Sequence, residues 1–99
     1  MKNKQYNSLQ DLRVDIDSLD SKLVELIAQR SHLVRKAAAF KNSVEEVKAE
    51  DRIEHILQSV RQKAIEKEVS ANMISELFTI MIDEMVESEI AEFRNANNF

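Results

Sequence analysis

The chain has 99 residues, 43 % hydrophobic and 32 % charged, with no glycine, no proline and no cysteine. That length is one domain, that balance is globular rather than disordered, and the missing turn-formers predict an all-α protein with few connections. A net charge of −4 without a basic block argues against nucleic acid, and the lack of cysteine excludes disulfides and thiolate metal sites and fits a cytoplasmic protein.

Residues 1–7 are polar and predicted to be loose, and MKNKQYNS has no apolar core, so no signal peptide is expected. A helix is predicted from Ser8 to Asn42. Ser8 suits an N-cap, and Asp11 suits the positive end of the helix dipole. Leu12, Ile16, Leu19, Leu23, Ile27, Val34 and Ala37 recur at steps of three, four or seven, the stripe of an amphipathic helix. Arg30 takes the apolar slot between Ile27 and Val34, and Lys41 follows Ala37 by four. At 100° per residue, the steps from Arg30 to Lys41 bring the second cation to within about 20° of the first. Two cations on the core side of a helix need an anionic partner there. A helix from Ser8 to Lys41 would be roughly 50 Å long, against a diameter of about 33 Å for a compact globule of this size. Either the helix is kinked or its overhang packs on a second copy, and an intertwined homodimer is the favoured expectation.

Residues 42–48 read as the first connection, with Val44 and Val47 turned inward. A second helix starts near Ala49, with Glu50 and Asp51 in its first turn and Ile53, Ile56, Leu57, Val60 and Ala64 as its stripe. Arg52 borders that stripe. The pattern fades over Glu66, Lys67 and Glu68. Ser70 caps a third helix from Ala71 to about Arg94, whose stripe reads Ile74, Phe78, Ile82, Met85, Glu89 and Phe93. Residues 95–99 look loose. The uncharged run from Leu77 to Ile82 is far too short to span a membrane. The expected architecture is three helices: long, short and medium.

Glu89 is the second anomaly, since a carboxylate in an apolar slot is either ion-paired or neutralised by desolvation. Each such residue also has a plain reading. Arg30 fits an edge residue or half of a structural ion pair, Lys41 fits a helix-end cation, and Glu89 fits a structural partner for Arg30. Arg13 alone reads as a solvent arginine, and His32 and His55 as surface histidines. No spacing suits a metal site. Taken together, Arg30, Lys41, Arg52 and Glu89 suit a small dianion, because arginine grips carboxylates bidentately. With no nucleophile or metal in view, the implied chemistry is electrostatic and conformational.

Over residues 8–94 the chain resembles the all-α chorismate mutase family. The likeness rests on Leu12-Arg13, Asp17-x-x-Asp20-x-x-Leu23, Gln29-Arg30, Lys41, Arg52, and Leu77-Phe78 through Glu89. The segment from Val34 to Lys41, with Arg52 eleven positions on, is most similar to the isochorismate–pyruvate lyase branch. The resemblance implies an intertwined dimer of three-helix chains with two equivalent sites and no cofactor. It implies that Arg13 reaches the partner's site and, with Arg30, holds the two carboxylates of chorismate. Arg52 would add charge on the same anion. Lys41 would bond the ether oxygen, and so would Glu89 when protonated, at a position where many relatives carry glutamine.

Two positions depart from the family's mutases. Ile53 stands where they often carry glutamate, and Met85 where they often carry serine; both lean toward the lyase branch. The first-ranked expectation is a chorismate mutase making prephenate. The second is an isochorismate–pyruvate lyase making salicylate, and the third a non-catalytic helical dimer that binds or regulates another protein.

Overall fold

Ser8 starts the first helix as its chemistry dictates: its hydroxyl accepts the Asp11 backbone N–H at 3.1 Å. The computed structural model describes residues 5–96. Of the ends expected to be loose, residues 1–4 and 97–99 lie outside that range. Tyr6, by contrast, is tied to the helix, its hydroxyl donating to the Asp15 carboxylate at 2.6 Å. Among the described residues four α-helices follow in order: α1 Leu9–Ala37, α2 Val44–Lys48, α3 Glu50–Glu66 and α4 Ala71–Ala96, with a 3-10 turn at Ala38–Phe40. The three principal helices are those the apolar stripes predict, and there is no strand among the described residues. No helix there is long and apolar enough to cross a membrane.

Contacts divide the chain into two units, Met1–His32 and Leu33–Phe99, with the boundary inside α1. In the first unit the stripe is regular but uncovered. No residue of α1 is buried, and Leu12 and Leu23 remain 39 % and 57 % exposed. An amphipathic helix gains most of its stability from covering such a face.

The second unit is built on α4. Helix α3 packs along it, and α2 and the 3-10 turn pack against it as well. Val47, Ala64 and Ile82 form the buried apolar centre. Ser70 caps α4 by accepting the Met73 N–H at 3.1 Å. The turn before it is a Schellman closure: the Val69 N–H donates to the Ala64 carbonyl at 2.9 Å and the Glu68 N–H to the Ile65 carbonyl at 3.1 Å. Glu68 sits there at φ 59°, and Ala49, between α2 and α3, sits at φ 42°. Both are left-handed positions that glycine usually fills, at a cost of about 1–2 kcal/mol for a residue with a Cβ.

The end of α1 corrects the sequence reading. The α-helix stops at Ala37, not Asn42, and after the 3-10 turn Lys41 is extended, at φ −90° and ψ 141°. Lys41 therefore does not continue the α1 stripe, and its expected 20° alignment with Arg30 along a single helix does not hold. The cause is local. Ser43 N-caps α2 by accepting the Glu46 N–H at 3.1 Å, and the Glu46 carboxylate accepts the Asn42 N–H at 2.6 Å. These side chains offer the backbone partners that a continuing helix would have used.

Candidate functional site

Lys41 is half-buried and follows the 3-10 turn that rests on α4. Its ammonium donates to the Glu46 carbonyl at 3.0 Å. Lys41 and Arg52, the latter in the first turn of α3, line one cleft together with Glu46, Glu50 and Asp51. The full lining carries three cations (Lys41, Lys48, Arg52) against four carboxylates (Glu45, Glu46, Glu50, Asp51). By formal charge the cleft does not favour an anion unless cations are added to it.

Glu89 projects from the same face of α4 as Ile82, seven residues and about 20° away. It is the one buried charged side chain among the described residues, 4 % exposed. Its Oε1 has no hydrogen-bond partner there. Burial pushes its carboxyl above the ordinary range, the nearby Lys41 ammonium draws it back, and Glu92 adds a smaller upward push. An acid in that state can donate a hydrogen bond, and it sits within electrostatic reach of a lysine with N–H donors to spare.

The structure thus brings Lys41 and Arg52 to one cleft and leaves Glu89 within electrostatic reach of Lys41. Arg13 and Arg30 lie in the first unit on α1, the former exposed and the latter half-buried. Their separation along the helix is about 25 Å, with azimuths roughly 100° apart. A small ligand cannot touch both within one chain. The sequence reading assigns Ser43 and Glu46 no capping role, although Ser43-Val44-Glu45-Glu46 has the S-x-x-E spacing of a capping box. No group of three or more acidic or histidine side chains among the described residues is placed to hold a metal ion.

The model of the family chorismate mutase type II matches residues 12–90, a span that includes every candidate from Arg13 to Glu89. The chain is also similar to a chorismate mutase from Methanocaldococcus jannaschii, 30% identical over 76 residues, or 76% of this chain and 77% of that protein.

Proposed function

This chain belongs to the chorismate mutase type II family, and from that premise we propose that it rearranges chorismate to prephenate. The ether C–O bond breaks and a C–C bond forms within one molecule, so the atoms balance with no co-reactant. The observation that carries the reading is buried Glu89, whose Oε1 has no partner among the described residues and whose carboxyl lies within electrostatic reach of the Lys41 ammonium. An ammonium and a neutral carboxylic acid are two donors for a single oxygen. Negative charge grows on the ether oxygen as its bond breaks, and Lys41 and protonated Glu89 stabilise it there. Arg30 and the partner's Arg13 hold the two carboxylates, Arg52 adds positive charge, and the enolpyruvyl side chain is kept folded over the ring.

We place one such domain in each chain of a cytoplasmic homodimer with two shared sites. The uncovered stripe through Leu12 and Leu23 supports the dimer. So does the excess of carboxylates in the cleft, which arginines brought by α1 helices would reverse. Both comparisons name the mutase, which favours it over the lyase. The deciding assay gives the protein chorismate and isochorismate separately. Prephenate is expected from chorismate. Salicylate from isochorismate alone would move the assignment to the lyase. Neither substrate consumed, with Arg30→Ala as stable as the parent, would leave a non-catalytic dimer.

Glu89 gives a pH signature. Its raised pKa means that the donor form predominates below the raised value. As pH climbs through that value, kcat/KM is expected to fall, approaching about tenfold per unit. Glu89→Gln donates an N–H at every pH and should flatten that limb; an unchanged limb removes Glu89 from the role. Stability follows the same sign. Between the ordinary and the raised pKa the native state keeps a proton that the unfolded chain has released, so stability declines as pH rises across that interval.

A further inference from the structure

We propose that Glu46 is a positioning residue that sets the Lys41 ammonium through a hydrogen-bonded knot over residues 41–46. All three polar groups of Glu46 are engaged within five residues. Its carbonyl accepts from Lys41 Nζ at 3.0 Å, its carboxylate from the Asn42 N–H at 2.6 Å, and its N–H donates to Ser43 Oγ at 3.1 Å. The need for such a device follows from where Lys41 lies. It is extended and past the end of α1, so no helix fixes its backbone, and its four-carbon stem is flexible.

The carboxylate pins the backbone step immediately after Lys41, and the carbonyl takes one of the three ammonium hydrogens. The other two remain for a ligand. Val47, the next residue, is buried, and α2 packs on α4. The knot is therefore anchored to the helix that carries Glu89. Lysine and acid are held in register through Glu46 and Val47 rather than through α1.

This inference rests on Lys41 acting on chorismate, as proposed above, and it is tested with two readouts on the full chain. One is steady-state kinetics with chorismate; the other is the 1H–15N signal of the Lys41 ammonium. Glu46→Ala should lower kcat by about 10- to 100-fold with KM within about threefold of the parent, because placement rather than binding is lost. Glu46→Gln keeps an acceptor oxygen for the Asn42 amide and should recover kcat to within about threefold. Ser43→Ala should lower kcat in the same direction, and adding it to Glu46→Ala should cost little more, since both belong to one knot. The Lys41 signal should be sharp in the parent and in Glu46→Gln, and broadened in Glu46→Ala. Parental kcat with an unchanged lysine signal in Glu46→Ala overturns the proposal. So does equal impairment of Glu46→Ala and Glu46→Gln with the signal retained, which would mean the carboxylate acts by charge alone. If the parent leaves chorismate untouched, the mutase reading fails, and the lysine signal still decides whether Glu46 sets Lys41.

Discussion

Lys41→Ala is expected to lower kcat/KM for chorismate by about 100- to 1,000-fold, the usual loss when one donor to a developing oxyanion is removed. The fold should survive the change. Lys41 is only half-buried, it lies outside the α-helices, and the hydrogen bond its side chain makes is to the Glu46 carbonyl. A second consequence separates this effect from simple damage. The Lys41 ammonium draws the Glu89 pKa down against the push of burial. In Lys41→Ala that pull disappears, so the alkaline fall in residual activity should move to higher pH. Lys41→Arg should rescue poorly, since a planar fork on a longer stem does not reproduce a compact point charge. Steady-state kinetics across pH checks all three expectations. A Lys41→Ala enzyme within about threefold of the parent would remove the lysine from the chemistry.

The largest recovery is expected from mixing two crippled variants. Arg13→Ala and Lys41→Ala should each be nearly inactive alone. If every site takes Arg13 from one chain and Lys41 from the other, a heterodimer of the two variants contains one intact site and one doubly damaged site. Random pairing of equal amounts makes about half the dimers mixed, so about a quarter of all sites are restored. Unfolding and refolding the variants together, then assaying chorismate turnover, should show a rise from near zero to about a quarter of the parental rate. Refolding each alone and combining them afterwards should give less, at first, because α1 stripes already covered must separate before they exchange. No recovery would place both residues on the same copy or remove Arg13 from the site.

Much of this architecture is written in side-chain periodicity. The stripes of α3 and α4, the caps at Ser8 and Ser70, and Glu89 in an apolar slot are all local signals, and each appears where the pattern puts it. The end of α1 was not legible in the same way. Ala37 through Phe40 continue a good helical pattern, and what stops the helix is competition from Ser43 and Glu46, which has a spacing but no period. Azimuth reasoning therefore misplaced Lys41, while the cleft it shares with Arg52 depends on a 3-10 turn and a five-residue helix. The stripe of α1 shows a different limit. Period reveals which face is apolar, as at Leu12, Leu19 and Leu23, but not which surface comes to lie against it.

The left-handed Ala49 and Glu68 have a counterpart in the denatured ensemble. A polypeptide whose every residue bears a Cβ wanders through fewer backbone states before it folds than one supplied with glycine hinges, by about 0.4–1 kcal/mol for each glycine avoided. That narrowing extends along the whole coil, whereas among the described residues the strain falls at two corners. The missing glycines narrow the coil, while the missing prolines leave every φ free to turn, so the saving comes from the first absence alone.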